Sequence, residues 1–488
     1  MDGVSSGKGC DMDEKTRRQL ACFFQPESVA VVGASERMGS WGSILMRGLQ
    51  GRGFPGRIFP VNQKSGEVFG LKAYPSIGAI PDKADLAVLA VPAGSIAEIV
   101  EACAEKGIQA ITVIAAGFSE AALDGRDREI ELAALARRHG IRILGPNVSG
   151  TFNLHACFNA SPAPSAFIRP TGISGVCQGS YAIYDLLIGS HWRGMSLGQF
   201  VQTGNECDLE VTDFLEYFGE DPRTEVIMMY LETLRDVDCF RWTAGRVAKK
   251  KPVIVQKVGR TPGGSRAAGS HTGAMAGRHD FFQGLFRQLN LVQSPAMERL
   301  IPLAHAFLDL PPMRGRRIGI ITMGGSWGVA LTDQLEMRGL EVPEFGPGLQ
   351  GRLRDLNLPI RVSTKNPVDI GADPTSALSP GTVARIAREI LASDETDALI
   401  LHGFGRLALV DDPSRENDTA LLQLEKSVMR DCANLRGITD KPILIGSAIQ
   451  ASQSRAIDEF IREGHLVFHH LDEIADVLSL KLGHQKAS

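Results

Sequence analysis

Short apolar runs typical of buried strands alternate with amphipathic helical segments along nearly the whole chain. The runs are rich in Val, Ile and Leu on both faces, as expected for parallel sheets covered by helices on both sides. The chain is therefore predicted to form α/β domains built on doubly wound parallel sheets. The strand candidates are 28–35, 56–62, 85–93, 110–118 and 141–147 in a first series, 172–179, 197–205, 225–232 and 251–259 in a second, and 317–325, 366–373, 397–404 and 441–448 in a third.

Two breaks in this alternation predict three doubly wound domains. The Pro/Ala/Ser-rich stretch 161–170 follows the first series, and 309–317, with two consecutive prolines, follows the second. A length of 488 residues fits three domains of ordinary size. The predicted divisions are a flexible N-terminal tail at 1–20 and domains at 21–155, 165–308 and 314–485.

Composition argues against nucleic acid or a membrane surface as the main partner. The formal net charge is −4, and 22% of the residues are charged, without the basic excess that polyanion binding needs. The N-terminal stretch is polar, and no apolar run approaches the length of a membrane span. Eight cysteines are scattered without a CxxC pair. We therefore expect a cytoplasmic protein with reduced thiols and no metal site.

A small-residue turn follows the first strand candidate and opens a helix. It begins at Gly33, and Ser35 stands where a GxGxxG motif has its second glycine. Backbone N–H groups at such a helix start can bind a phosphate. The second strand ends at Asn62, followed by Lys64, where NAD-binding domains usually carry Asp or Glu. Lysine suits phosphate better than a ribose diol, so CoA is favoured over NAD. A turn that binds nothing remains the other interpretation.

The segment 260–277 consists almost entirely of small residues and carries a single histidine, His271. Small residues leave room for a large ligand and for loop movement. A neutral imidazole is a competent nucleophile towards phosphorus near pH 7. We therefore predict a loop with His271 as a candidate nucleophile, a structural histidine being the alternative. Glu232 closes the strand 225–232 and could orient an imidazole, unless it is only a solvated strand end.

The order of these segments resembles the ADP-forming (NDP-forming) acyl-CoA synthetases. This family includes the acetyl-CoA synthetase alpha subunit and is related to succinyl-CoA synthetase. The resemblance covers about 22–480, and its specific part is SHTGAMAG after KPVIVQKVGR. It implies a CoA-binding Rossmann-like domain followed by two flavodoxin-like ligase domains, the first with a phosphohistidine loop. The implied reaction interconverts acyl-CoA, ADP and phosphate with carboxylic acid, CoA and ATP through acyl phosphate and phosphohistidine.

The resemblance also implies roles for individual positions. His271 corresponds to the phosphorylated residue, and Glu232 corresponds to its supporting acid. The implied CoA-site residues are Gly33, Ser35, Gly39, Asn62, Lys64, Pro92 and Asn147. The implied phosphate-binding residues lie at two helix N-termini and are Gln178, Gly179, Ser180, Gly324 and Gly325.

Three segments depart from the family pattern. Cys177-Gln178-Gly179-Ser180 replaces the usual Ser-Gln-Ser-Gly turn, so the hydroxyl expected at Gly179 is absent and that of Ser180 lies next to it. Val148 stands where the family has cysteine after Gly-Pro-Asn, and Trp327 is bulky for a glycine-rich turn. These changes affect the geometry expected of the phosphate site but leave the nucleophile in place.

The resemblance further implies a partner. No segment matches an ATP-grasp domain, so a separate ATP-grasp beta subunit is expected to bind ATP or ADP with Mg²⁺. A heterotetramer with two subunits of each kind follows by analogy. CoA and a small carboxylic acid are the implied substrates, and the sequence leaves the acid open. The competing hypotheses are a non-catalytic CoA-binding regulatory module and an NAD-dependent dehydrogenase.

Overall fold

The computed structural model describes residues 11–121, 124–164, 169–179, 182–272, 279–360, 362–371, 381–406, 409–410, 419–437 and 439–487. Strands and helices alternate through these residues, as the sequence pattern predicts. The chain divides into two compact units. The first comprises Met1–Ile188 with Ser196–Leu300, and the second comprises Gly189–Met195 with Ile301–Ser488.

The first unit contains fourteen described strands and most of the described helices. Its strands are β1 (Ser28–Val32), β2 (Arg57–Val61), β3 (Glu67–Val68), β4 (Leu71–Lys72), β5 (Leu86–Leu89), β6 (Ala110–Val113), β7 (Arg142–Leu144), β8 (Thr151–Asn153), β9 (Phe158–Ala160), β10 (Ile173–Cys177), β11 (Gln199–Gln202), β12 (Val226–Leu231), β13 (Val253–Lys257) and β14 (Val292–Gln293). Its helices are α1 (Glu14–Ala21), α2 (Trp41–Gly51), α3 (Ile96–Glu105), α4 (Gly125–Arg138), α5 (Ala182–His191, whose last three residues fall in the second unit), α6 (Val211–Glu220), α7 (Val237–Val247), α8 (Pro262–Thr272) and α9 (His279–Gln288).

The first sheet is parallel throughout, with the strand order β2-β1-β5-β6-β7. Val32, the last residue of β1, pairs with Val61 of β2 and Leu89 of β5. The carboxyl ends of these strands therefore meet at one edge of the sheet. In doubly wound sheets this edge is where ligands bind. The turn after β1 and the residues that follow β2 and β5 all lie along it.

The second sheet has the order β14-β13-β12-β10-β11-β8-β9. Its first five strands are parallel, whereas β8 and β9 are antiparallel. These two strands are only three residues long and lie outside the apolar runs that predict strands. They occupy 151–160, at the transition between the first two predicted domains, and they extend the second sheet. Cys177 pairs with Gln202 and Tyr230, so the ends of β10, β11 and β12 lie side by side.

One apolar core contains side chains from both sheets of the first unit. Phe23 and Phe24, just after α1, meet Phe214 of α6 in edge-to-face contacts with centroid separations of 6.4 and 6.0 Å. Phe24 also stacks on Tyr217 at 5.1 Å. Burial of these rings and their mutual geometry both stabilise the packing of α6.

The second unit contains a four-stranded parallel sheet in the order β16-β15-β17-β18. Arg193 forms an ion pair with Glu473, which is fully buried. No helix in the described part of the chain is long and apolar enough to cross a membrane. The elements are α10 (Leu300–Asp309, beginning at the unit boundary), β15 (Ile318–Thr322), α11 (Gly325–Glu336), α12 (Pro347–Arg354), β16 (Val368–Asp369), α13 (Thr382–Ala392), β17 (Ala398–His402), α14 (Thr419–Asn434), β18 (Ile443–Gly446), α15 (Arg455–Arg462) and α16 (Leu471–Ala487).

The histidine segment corrects the expectation of a loop, because its first part is helix α8. The hydroxyl of Thr261 accepts a hydrogen bond from Gly264 N at 3.1 Å, in the manner of an N-cap. Pro262 occupies the first helical position, where its missing N–H carries no cost. Alanines at 267–268 then favour continuation despite the neighbouring glycines. Residues 273–278 lie outside the described residues.

Replacing Phe214 with alanine tests the packing of α6. Phe214 is fully buried, so Phe214→Ala should lower the free energy of unfolding of the first unit by about 3–5 kcal/mol. The matched control is Phe281→Ala, at a ring that is 54% exposed. That change should stay within about 1 kcal/mol. Urea denaturation followed by circular dichroism measures both, and equal effects would contradict this description of the core.

Candidate active site

The turn after β1 is tightly fitted against the neighbouring strand. Gly33 has φ +85°, and a Cβ there would lie 2.4 Å from the carbonyl oxygen of Ala90. A Cβ on Gly42 would lie 2.0 Å from the carbonyl oxygen of Gly33. Ser40 caps α2, its hydroxyl accepting from Ser43 N at 3.3 Å. The glycines therefore let the backbone turn directly into the start of α2.

Asn62 fixes the end of β2 and places Lys64. Its amide nitrogen donates to the carbonyl of Ala34 at 2.8 Å. Its amide oxygen accepts from Lys64 N at 2.7 Å and from Ser65 N at 3.1 Å. Lys64 is exposed at the carboxyl edge of the first sheet, where its charge is available to a phosphate. Asn62 thus supports the turn with both side-chain atoms.

A cavity of about 440 Å³ lies in the first unit. Its wall contains Pro92 and Asn147, both expected at a CoA site, and Gln178, expected at a phosphate site. Trp41, at the start of α2, also lines it. The structure thus brings three sequence-predicted residues around one space. The other predicted CoA residues lie outside its wall, in or beside the turns at the carboxyl edge: Gly33, Ser35, Gly39, Asn62 and Lys64.

Gln178, directly after β10, is buried and hydrogen-bonded through both side-chain polar atoms. Its backbone N–H donates to the carbonyl of Tyr230 at 3.1 Å. Its side-chain oxygen accepts from Glu232 N at 2.6 Å and from Thr233 N at 2.8 Å. Its side-chain nitrogen donates to Glu206 Oε2 at 3.0 Å. Gln178 therefore ties the end of β10 to the end of β12.

Glu206 is a buried carboxylate that the sequence analysis did not single out. One oxygen accepts from the Thr203 hydroxyl at 2.8 Å and from Val211 N at 3.1 Å. The other accepts from Gln178 and lies 3.9 Å from Nε of Arg235. Burial raises the pKa of Glu206 to about 7. The sequence signal that could have identified Glu206 is its position, as an acidic residue, a few residues after the end of a buried strand.

Asn205 forms a second polar cluster in the cavity wall. Its side-chain nitrogen donates to Glu129 at 2.7 Å and to Glu120 at 2.5 Å. Its side-chain oxygen accepts from Asn147 at 3.3 Å. Gly204, just before it, has φ +62°, and a Cβ there would lie 2.3 Å from the carbonyl of Pro146. The segment 202–208 thus packs against the predicted CoA-site residue Asn147.

Glu232, the candidate supporting acid, is 4% exposed and has a buried cation nearby. Lys257, 6% exposed, ends the adjacent strand β13 and pairs in register with Leu231. Burial lowers the pKa of Lys257 to about 8, and the charge of Glu232 opposes that shift. The ammonium donates to the carbonyl of Val258 at 2.5 Å and lies 4.8 Å from the ring centroid of Phe282.

His271 lies in the last turn of α8, the helix that follows β13. Its side chain is outside the described residues, as is the whole of Ser180. Gly179 is described and buried, directly after Gln178. β12 and β13 are adjacent and parallel, so α8 follows the same sheet edge at which Glu232 lies.

Gly324 and Gly325 stand at the start of α11 in the second unit. A Cβ on Gly325 would lie 2.9 Å from a carboxylate oxygen of Asp369, so the turn approaches that side chain closely. The ring of Trp327 lies 5.1 Å from that of His402, which is fully buried. Burial lowers the pKa of His402 to about 4. The bulk of Trp327 is therefore accommodated partly by a tilted ring contact with a neutral imidazole.

Comparisons with known proteins agree with this architecture. A CoA binding domain matches residues 27–152, and a succinyl-CoA ligase like flavodoxin domain matches residues 170–307. The chain is 36% identical over 367 residues to the alpha subunit of acetate–CoA ligase (ADP-forming) I of Pyrococcus furiosus, covering 72% of this chain and 76% of the relative. It is 33% identical over 390 residues to the alpha subunit of isoform II, with coverages of 78% and 81%.

A solved structure matches nearly the whole chain. It is the dinucleotide forming acetyl-coenzyme A synthetase 1 of Candidatus Korarchaeum cryptofilum, in complex with phosphate and ADP. The TM-score is 0.82 at 27% identity, over 96% of this chain and 97% of that one. The resemblance stated from sequence motifs is confirmed. The chain belongs to the family of ADP-forming acetate–CoA ligases and is an acyl-CoA synthetase of their alpha-subunit type.

Proposed function

We propose that this chain carries the phosphorylated intermediate of an ADP-forming acyl-CoA ligase on His271. The observation that carries the proposal is the cavity shared by Pro92, Asn147 and Gln178, which links the CoA side of the unit to the strand ends beside Glu232. Family membership and the presence of His271 favour catalysis over a regulatory CoA-binding module. The second strand ends at Asn62, followed by Lys64, where NAD-binding domains usually carry Asp or Glu, and this difference favours CoA over NAD.

The proposed reaction proceeds in three steps, one acyl transfer followed by two phosphoryl transfers. A phosphate oxygen attacks the thioester carbonyl, and the CoA thiolate leaves, which forms an acyl phosphate. A neutral nitrogen of His271 attacks the phosphorus of the acyl phosphate, and the carboxylate leaves. The phosphoryl group then passes from His271 to ADP. Glu232 orients the imidazole and stabilises its cationic, phosphorylated form.

The residues at the carboxyl ends of the strands supply the groups that bind CoA and the phosphoryl group. Lys64 and the backbone N–H groups of the turn containing Gly33, Ser35 and Gly39 bind CoA phosphates. Pro92 and Asn147 face the reactive end of CoA. The turn of Gln178, Gly179 and Ser180 directs a helix N-terminus towards the phosphoryl group. Gly324 and Gly325 form a second helix start, which the family resemblance assigns to phosphate binding. Every hydrogen-bonding atom of Gln178 named above is engaged inside the protein, so its part is to shape this turn.

The nucleotide site is proposed to lie on an ATP-grasp beta subunit. Transfer to ADP needs Mg²⁺ and groups that clamp phosphates. Two parallel sheets, one mixed sheet and one small ribbon account for the strands in the described residues. The similar Pyrococcus proteins are named alpha subunits, which supports a second kind of subunit. We propose a heterotetramer, in the cytoplasm, acting on a small carboxylic acid.

Labelling tests the nucleophile. Incubation with acetyl-CoA and [³²P]phosphate should give an acid-labile, base-stable label on His271. His271→Asn should abolish the label and leave CoA binding nearly unchanged, because the nucleophile makes no required ground-state contact with CoA. The matched control is His279→Asn, which should keep the label. Full labelling of His271→Asn would overturn the assignment.

Charge reversal tests the CoA site. Lys64→Glu should raise the CoA dissociation constant roughly tenfold at low salt, because a repulsive charge replaces an attractive one near the phosphates. Lys83→Glu is the control, since Lys83 is also exposed but precedes β5 at the opposite edge of the sheet. Calorimetric titration measures both. Equal weakening by the two variants would place CoA elsewhere.

Reconstitution tests the division of labour. With acetyl-CoA, phosphate, ADP and Mg²⁺, this chain alone should make no ATP in steady state, and addition of the ATP-grasp subunit should start synthesis. Coupled luminescence follows ATP directly. Sustained synthesis by the single chain would show that the nucleotide site lies within it.

A further inference from the structure

Gln178 can point its amide in only one direction within this network. Glu206, when ionised, only accepts hydrogen bonds, and the backbone N–H groups of Glu232 and Thr233 only donate. The nitrogen of Gln178 therefore faces Glu206 at 3.0 Å, and its oxygen faces Glu232 N and Thr233 N at 2.6 and 2.8 Å. A flipped amide would place the oxygen of Gln178 against the carboxylate of Glu206. It would also place the nitrogen of Gln178 against the N–H groups of Glu232 and Thr233.

Glu206 is held by its own set of contacts. Thr203 and Val211 N donate to one oxygen, and Gln178 donates to the other. Arg235, at 3.9 Å, is the cation that faces it, and Glu210, at the start of α6, is the nearby acid that opposes its ionisation. Because Glu206 is only 3% exposed, solvent screens its carboxylate charge weakly, and that charge acts strongly on the adjacent Gln178 amide.

The chain of contacts ends at the candidate catalytic acid. Gln178 holds the N–H of Glu232, the residue directly after β12, and so fixes where the Glu232 side chain starts. It also accepts from Gly204 N at 3.0 Å through its backbone carbonyl, which joins the cavity wall to the same turn. A change at Glu206 is thus transmitted to Glu232 through one side chain.

We propose that Glu206 is a positioning residue for phosphoryl transfer: its ionised carboxylate orients Gln178, and Gln178 places Glu232 and the phosphate-binding turn. This inference rests on the proposed function, in which Glu232 supports His271. Protonated Glu206 loses the charge that strengthens its contact with the nitrogen of Gln178, and a proton on Oε2 would place a donor against that nitrogen. Since burial raises the pKa of Glu206 to about 7, the orienting contact weakens as the pH falls through neutrality.

The test compares labelling rates in the full chain with acetyl-CoA and [³²P]phosphate. Glu206→Gln keeps the shape but leaves only one acceptor oxygen, so its amide nitrogen must face a donor, either Gln178 on one side or Val211 N on the other. At pH 8 it should slow labelling roughly 10- to 100-fold, the size expected for one lost charge-assisted hydrogen bond. The half-saturating acetyl-CoA concentration should change less than about twofold, because CoA contacts are untouched. Glu210→Gln is the control, a nearby carboxylate that does not contact Gln178, and it should label at the normal rate.

The pH profile separates positioning from a structural role. The ratio of wild-type to Glu206→Gln rates should be largest near pH 8 and fall towards one near pH 6, as wild-type Glu206 becomes protonated. Titration of phosphate is common to both proteins and cancels in this ratio. A ratio of one at pH 8, or a ratio that is large but equal at pH 6 and pH 8, would overturn the proposal.

A charge exchange provides rescue and a second route if Glu206→Gln does not fold. The double variant Gln178→Glu with Glu206→Gln again matches each donor with an acceptor, and it should recover most of the rate. Gln178→Glu alone opposes two carboxylates and should be slow. Failure of the exchange to recover any rate would contradict the orientation argument. If His271→Asn takes up label, the proposed function itself fails. If His271→Asn takes up no label but Glu206→Gln labels at the normal rate, only the positioning role of Glu206 is rejected.

Discussion

Parallel pairing of buried strands is the constraint on which the whole arrangement depends. Because β1, β2 and β5 run in the same direction, their carboxyl ends converge, and the turns after them face a common edge. β10, β11 and β12 repeat this within the second sheet of the same unit. Side chains from separate parts of the sequence therefore meet with no need for long excursions of the chain, and the cavity is lined from both sets of strand ends.

A buried polar network then gives that edge a specific geometry. Burying a carboxylate such as Glu206 costs several kcal/mol unless its lone pairs are satisfied. Here three donors and the nearby Arg235 offset that cost. This network gives the Gln178 amide one defined orientation, because its oxygen must face N–H donors and its nitrogen must face the carboxylate of Glu206. The same logic applies to Lys257, whose buried charge is balanced by Glu232.

Sequence reasoning recovered the strands that are long and apolar, along with the turn at Gly33 and the family. It missed β8 and β9 because three-residue strands carry too little periodicity to detect. It expected a loop where α8 forms, because glycine content outweighed the local Thr-Pro start signal at 261–262. The roles of Glu206 and Lys257 depend on which residues lie across neighbouring strands, and spacing along one strand does not give that information.

The described residues show how the sites are assembled, and phosphorylation of His271 within one chain is the step on which the proposed function depends. Release of free acetate, followed after rapid mixing of this chain with acetyl-CoA and phosphate, tests it most directly. We expect a phosphate-dependent burst of about one acetate per chain that then stops, because acetate leaves when His271 takes the phosphoryl group and the phosphorylated histidine has no acceptor. Continuous release, or a burst of the same size in His271→Asn, would contradict it.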